Sequence, residues 1–175
     1  MIIYIHFGTL SLYSPTVHHN HILTGFEIIS QRVQDYLSYY AIYISNNEPA
    51  YVYAISTDLT NEITKIFPFE EGISAALTDK KNDVAIPDED HFIEFDENPG
   101  KNFLCVLYSK NELDINDIIT KIGTQQGTFS ERIFKVIGEK LVAPEHINFA
   151  KDKISFQAFS NGKTIVPMMV ELSHK

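Results

Sequence analysis

The sequence predicts a mainly β protein: an antiparallel β-sandwich, immunoglobulin-like or jelly-roll-like, with two short helices near residues 114–141 packed on it. Three observations support this class. The chain contains 12 Phe and 9 Tyr, which favour strands. Short stretches of alternating apolar and polar residues recur between turn residues along the chain. Strand–helix–strand alternation is absent from most of it, which argues against a doubly wound parallel sheet.

Length and charge limit the classes of protein further. The 175 residues fit one β-rich domain over residues 1–175, in which residues 1–21 can be an extension. The net charge of −9 repels phosphate backbones and anionic lipid, so we expect no nucleic-acid partner. No apolar run approaches the ~20 residues of a membrane span, so we expect no membrane insertion. Cys105 is the single cysteine and excludes an intramolecular disulfide.

The first third of the chain alternates loosely and is interrupted by polar residues. Residues 2–7 and 10–13 are interpreted as a short hairpin, residues 14–21 as a loop and residues 22–29 as a strand. Residues 31–34 form a polar break. A helix over residues 33–43 would fit the spacing of Val33, Leu37, Tyr40 and Ile44. The aromatic and β-branched character of residues 36–44, YLSYYAIYI, favours a strand instead.

The stretch over residues 50–68 predicts a central hairpin. Its first half alternates: one side carries Tyr51, Tyr53 and Ile55, and the other carries Ala50, Val52 and Ala54. Such a strand is buried on both faces. A polar break over residues 58–61 precedes a returning strand over residues 62–67, which Pro68 ends.

Residues 69–90 are acidic and are interpreted as a long loop with a short strand over residues 83–86. An edge strand is expected over residues 92–95. The continuous apolar run FLCVLY, residues 103–108, predicts a central strand.

Two helices and a turn are predicted in the last third. Asp114 can cap a helix whose apolar stripe is Ile115, Ile118, Ile119 and Ile122, ended by Gly123. Thr128 and Glu131 form a capping box before a second stripe, which contains Ile133, Phe134, Ile137 and Leu141. Asn161-Gly162 favours a type I′ turn between the strands of residues 153–158 and 164–172. Pro167 has no N–H, so the last strand should be at an edge or bulged there.

Three groups of residues could carry chemistry. His18, His19 and His21 in a loop could bind a transition metal, but a solvated polar loop is the favoured interpretation, because no Cys or carboxylate with ligand spacing flanks them. Cys105 could be a nucleophile if a histidine lay beside it, but its apolar neighbours indicate a buried, inert thiol. We expect no cofactor, because phosphate-binding loops and metalloprotease motifs are absent from the sequence.

Candidate binding residues come from the aromatic hairpin and the acidic loop. Tyr51 and Tyr53 could line a ligand groove, or else pack in the core with their hydroxyls at its rim. Asp88 and Asp90 belong to an acidic run that could hold calcium through oxygen ligands, or else form a solvated loop without an EF-hand pattern.

Several short motifs over about residues 35–113 resemble a bacterial domain of unknown function, family 4384. They are PAYVY at residues 49–53, IFP at 66–68, IP at 86–87, GKNFLCVLYS at 100–109 and, before them, DYL at 35–37. The family's turn between the hairpin strands usually contains Gly, whereas this chain has DLTN at residues 58–61. The resemblance implies a β-rich domain without assigned catalytic residues, often fused to caspase-like peptidases or protein kinases.

These observations lead to three functional hypotheses. The first is a non-catalytic protein-interaction or accessory domain, acting through an exposed sheet edge or the acidic loop on a protein partner or fused catalytic domain. The second is a small cysteine hydrolase using Cys105. The third is a metal- or small-ligand-binding protein using the loop of residues 18–21. We expect a cytoplasmic protein if the chain is full length, and a periplasmic or cell-envelope location if it is a fragment. The sequence leaves the oligomeric state open.

Overall fold

A computed structural model describes residues 2–8, 16–20, 28–32, 39–46, 48–58, 60–78, 81–87, 93–94, 100–149 and 154–174. Its strands are β1 Ile2–Gly8, β2 Thr16–Asn20, β3 Ile28–Arg32, β4 Tyr39–Asn46, β5 Ala50–Thr57, β6 Ile63–Phe67, β7 Ala76–Leu77, β8 Lys81–Ile86, β9 Ile93–Glu94, β10 Gly100–Ser109, β11 Ile147–Phe149, β12 Ile154–Ala158 and β13 Ile165–His174. The helices are α1 Ile115–Gly123 and α2 Phe129–Ile137, and two 3-10 turns cover Gly138–Lys140 and Pro144–His146.

The strands form two sheets. The first has the order β11-β12-β1-β4-β8, with β9 also paired to β4. The second has the order β2-β3-β13-β10-β5-β6, with β7 also paired to β5. Within the described residues every strand pair is antiparallel except β3 with β13, which is parallel. The prediction of a mainly β protein with two helices is confirmed.

The two sheets share one apolar core. Buried side chains of the first sheet, such as Ile44 and Phe156, belong to the same cluster as Val52 and Val106 of the second. The rings of Phe156 and Tyr108 meet edge to face across it, with centroids 6.2 Å apart. Tyr108 also donates a hydrogen bond to the Glu48 carbonyl oxygen at 3.2 Å, so its hydroxyl is satisfied at the margin of the core.

The opposite face of the second sheet packs against the helices. Ile55 and Tyr53 of β5 lie in a second cluster with Ile118 of α1 and Ile133 of α2. The predicted alternation along β5 is therefore confirmed: the bulky residues face the helical layer, and Ala50, Val52 and Ala54 face the first sheet. Small residues let the two sheets approach closely, whereas the thicker helical layer accommodates Tyr and Ile.

Both helices begin at the predicted caps. Asp114 Oδ1 accepts a hydrogen bond from the Asp117 N–H at 2.9 Å. The Thr128 hydroxyl accepts from the Glu131 N–H at 3.3 Å, and Glu131 Oε2 accepts from the Thr128 N–H at 2.9 Å, which completes the capping box. The hydrogen bond from the Thr128 N–H lowers the pKa of the Glu131 carboxyl. Phe134 was wrongly placed on the apolar stripe: it is 55% exposed, one step around the helix from the buried Ile133.

Part of the N-terminal third differs from the predicted structure. Thr16–Asn20 is strand β2 instead of a loop, and Gln31 and Arg32 belong to strand β3 instead of a break. The cause is non-local, because β3 is held by parallel pairing to β13 at the other end of the chain. The strands expected over residues 10–13 and 22–27 lie outside the described residues.

The Asn161-Gly162 turn has the predicted conformation but a different role. Both residues have positive φ, 41° and 82°, and the Lys163 N–H bonds to the Ser160 carbonyl oxygen at 2.6 Å, as in a type I′ turn. The flanking strands do not pair: β12 joins β1 and β11, while β13 joins β10 and β3. Burial explains this difference, because described side chains of β13 lie in both apolar clusters and need a central position.

The prediction that the last strand is at an edge or bulged at Pro167 is wrong, because β13 is a central strand and its register with β10 is continuous. Pro167 pairs with Leu107 of β10. Among the described residues, pairing with β3 on its other side begins at Met169, and Leu141 forms an isolated bridge with Ile165. Pro167 lies between these two contacts, and no described strand residue faces it on that side.

Candidate functional site

Tyr53, one of the two candidate binding tyrosines, lies inside the domain. It is 2% exposed, and its hydroxyl oxygen accepts a hydrogen bond from the Leu113 N–H at 2.8 Å. Burial raises the pKa of the Tyr53 hydroxyl. Tyr51 is half-buried and packs against the same helix-facing cluster. Tyr53 therefore fixes the chain just before α1, and of the pair only Tyr51 reaches the surface.

Tyr53→Phe is expected to lower the free energy of unfolding by about 1–2 kcal/mol, because the Leu113 N–H loses its acceptor in a partly buried place. Urea unfolding at pH 7 measures this change. Tyr51→Phe is the control and should change stability by no more than about 0.5 kcal/mol. An equal loss in both variants would contradict the assignment of the Tyr53 hydroxyl.

The candidate acidic residues Asp88 and Asp90 lie outside the described residues, as does His21. The described part of the acidic segment contains Glu70 and Glu71, both exposed, beside Gly72 with a φ of 91°. Glu70 and Glu71 therefore place the described part of the predicted binding loop next to the end of β6.

His18 and His19 are consecutive residues of strand β2, where they pair with Ser30 and Ile29 of β3. The loop that the metal hypothesis placed here is therefore absent at these two positions. Over the described part of the chain, no group of three His, Cys, Asp or Glu side chains is arranged to hold a metal ion.

Cys105, the residue of the hydrolase hypothesis, is fully buried in strand β10. It belongs to the helix-facing cluster, where it neighbours Ile55 in the β5 register. Burial raises the pKa of the Cys105 thiol, which keeps the sulfur protonated. A hydrolase needs an accessible thiolate, and this position supplies neither access nor charge.

The buried thiol makes stability depend on alkaline pH. Because the folded pKa exceeds the unfolded one, the unfolded state loses its proton first, and stability falls as pH rises above the unfolded pKa. Between pH 9 and pH 10, Cys105 should contribute a loss of about 1 kcal/mol. The measurement is the urea midpoint at each pH for the native chain and Cys105→Ala. Parallel pH profiles for the two proteins would contradict it.

Arg132 of α2 is the one charged residue among the buried polar side chains of the described region. Its two terminal nitrogens lie 3.4 and 3.5 Å from the Asn61 carbonyl oxygen, and its Nε has no hydrogen-bond partner. The guanidinium carbon lies 5.9 Å from the centroid of the Phe129 ring. Arg132 thus attaches the turn before β6 to the helical layer through long hydrogen bonds.

An open cleft of about 450 Å³ lies where three connections meet. It is lined by Asn111, Glu112, Leu113, Glu139, Lys140, Asn161, Gly162, Lys163 and Thr164. The Lys163 ammonium donates to the Glu139 carbonyl oxygen at 2.7 Å, and the Thr164 N–H donates to the Lys140 carbonyl oxygen at 3.0 Å. These segments are far apart in the sequence, so no local pattern could have indicated the cleft.

Strand β6 is the last strand of the second sheet. Its inner side pairs with β5, and among the described residues no strand pairs with its outer side. The register advances by one residue on β5 and by two on β6 between Lys65 and Phe67, so Ile66 is the bulged residue. Thr64 is exposed, and the Lys65 ammonium donates to Asn116 Oδ1 of α1 at 3.1 Å.

The described structure defines a β-rich domain in which two sheets share a core and one sheet carries a layer of two helices. Residues 38–112 match the family model described as "Domain of unknown function (DUF4384)", which confirms the resemblance seen in the motifs. The match covers β4 to β10. In the turn where the family usually has Gly, Asn61 adopts a φ of 66°, a conformation that Gly and Asn tolerate best.

No curated protein and no solved structure was found to match the chain. Among the described residues, no helix has both the length and the apolar character needed to span a membrane.

Proposed function

We propose that this chain is a non-catalytic protein-interaction domain that serves a catalytic module, such as a caspase-like peptidase or a protein kinase of a bacterial signalling system. The observation that carries the proposal is the outer side of β6, where the described part of the second sheet ends without a further strand. Such an edge presents backbone N–H and C=O groups that a segment of another protein can pair with.

The chemistry of the described interior supports a structural rather than a reactive role for its polar groups. Cys105 and Tyr53 are both buried, and burial raises the pKa of each. The family match lies on the strands of the core, from β4 to β10, which is the scaffold that holds the β6 edge and the acidic segment. Loops and edges on a rigid sheet are common recognition surfaces.

The test is direct binding to the peptidase or kinase encoded in the same polypeptide or in an adjoining gene. Isothermal titration calorimetry of the purified chain with that module should give a saturable isotherm, and Cys105→Ala should leave the affinity unchanged. Absence of binding, together with esterase or peptidase activity that Cys105→Ala abolishes, would replace the proposal with the hydrolase hypothesis.

A further inference from the structure

We propose that the outer side of β6 accepts a basic, extended segment of a partner protein as an additional strand. This inference rests on the proposed function, because it specifies the partner of the same surface. It combines the open backbone of β6, its partly exposed apolar side chains and the carboxylates at its two ends.

The backbone of β6 is suited to a short added strand. Ile63, Thr64 and Lys65 pair in register with Thr57, Ser56 and Ile55 of β5. In an antiparallel pair alternate residues direct their N–H and C=O groups away from the partner, so part of this backbone points outward. The bulge at Ile66 interrupts the ladder, which limits an added strand to a few residues and opposes open-ended stacking of sheets.

Apolar surface is available on both faces of this edge. Ile63 is half-buried against the helix-facing cluster, and Ile66 is half-buried against the core between the sheets. Because side chains of a strand alternate between faces, an incoming strand can place apolar side chains beside each of them. A segment in which apolar and basic residues alternate can cover one of these two residues with its apolar side chains and direct its basic side chains to the other face.

The negative charges around β6 favour a basic partner. The segment from residue 58 to residue 71 carries four carboxylates, on Asp58, Glu62, Glu70 and Glu71, against the single ammonium of Lys65. The Lys65 ammonium is engaged by Asn116, and the Asp58 carboxylate accepts hydrogen bonds from the Thr60 N–H and hydroxyl at 2.7 and 2.5 Å. Glu62, Glu70 and Glu71 are exposed and flank both ends of the strand.

The same charges disfavour a second copy of this chain as the occupant. Pairing two β6 edges would bring two sets of carboxylates together, and like charges across an interface oppose association. A lysine- or arginine-bearing segment would gain from both ends of the edge instead. The proposed occupant is therefore an extended basic segment of another protein.

The experiment uses two synthetic peptides of about eight residues, the usual upper range of a strand. One alternates lysine with valine and the other alternates glutamate with valine. Fluorescence anisotropy measures the dissociation constants, and amide chemical shifts of the labelled protein locate the site. We expect the lysine peptide to bind, with shifts at residues 63–67, and the glutamate peptide to show no saturable binding.

Two matched variants separate a local effect from the overall charge. Glu70→Lys with Glu71→Lys should weaken binding of the lysine peptide about tenfold. Glu139→Lys with Glu145→Lys, on exposed residues of the two 3-10 turns, changes the net charge equally and should leave the affinity within about twofold. A lysine peptide methylated on every backbone nitrogen keeps its charge but has no N–H to donate from either edge, and it should not bind.

Equal weakening in both double variants, equal binding of the methylated peptide, or shifts away from β6 would each overturn the inference. A concentration-dependent dimer with shifts at β6 in the absence of peptide would also overturn it, because the occupant would then be a second copy. If the chain binds its catalytic module while the lysine peptide leaves β6 unperturbed, the interaction role survives and only this surface is rejected.

Discussion

Replacing Ile133 with alanine should lower the free energy of unfolding by about 3 kcal/mol, among the largest single effects in the domain. Ile133 is 0% exposed and lies in α2 where the helix packs on the second sheet. The cost combines lost transfer free energy with the cavity that remains, because helices and sheet are both fixed by other contacts and cannot close it. Urea unfolding followed by circular dichroism gives the value.

Phe134→Ala is the matched control for Ile133→Ala. Phe134 is the next residue of α2 and the larger side chain, but it is 55% exposed. Its replacement should therefore cost no more than about 0.5–1 kcal/mol. A loss for Phe134→Ala equal to that for Ile133→Ala would mean that the opposite face of α2 packs on the sheet.

Arg132→Met should leave stability unchanged or raise it by about 1 kcal/mol, although it removes a buried charge with hydrogen bonds. Arg132 is 5% exposed, its Nε has no hydrogen-bond partner, and no carboxylate of a described residue forms an ion pair with it. Methionine retains much of the apolar stem over Phe129 and removes the desolvation cost of the charge.

Arg132→Ala is the comparison variant. It should lower the free energy of unfolding by about 2–4 kcal/mol, because it removes the packed stem together with the charge. The measurement is chemical unfolding of both variants beside the native chain. If Arg132→Met were as destabilising as Arg132→Ala, the long hydrogen bonds to Asn61 would contribute more than their geometry suggests, or the guanidinium would have an anionic partner.

Local patterns predicted those parts of the fold that depend on neighbouring residues. The caps at Asp114 and Thr128, the alternation along β5, and the conformation of Asn161-Gly162 all follow from interactions within a few residues. Strand β10 was also predicted as central from its continuous apolar run, and it pairs on both sides. A strand buried on both faces has few alternatives that satisfy its backbone.

The errors arose where distant segments determine the structure. Residues 16–20 and 31–32 carry polar side chains that resemble loops, and only the pairing of β2 with β3 and of β3 with β13 makes them strands. The turn at Asn161-Gly162 has hairpin geometry, yet β12 and β13 enter different sheets. A turn fixes the local path of the chain but not which strand will be the neighbour.

The sequence predicted the chemical character of the candidate residues better than their contacts in the fold. The burial of Cys105 followed from its apolar neighbours, whereas the alternation that placed Tyr53 toward the helices could not show its bond to Leu113. The outer side of β6, with which no described strand pairs, depends on the strand order of the second sheet, and no local pattern encodes that order.

The position of β1 determines which fragments of this chain can fold. It lies between β12 and β4, so the first sheet is built from both extremities of the polypeptide, and β13 covers one side of β10 in the second. A fragment trimmed to residues 38–112 would lack β1 and β13, so β4 and β10 would each have one edge without its partner strand. Such a fragment should precipitate on expression, and adding separately produced N- and C-terminal pieces should restore solubility only if all three reassemble.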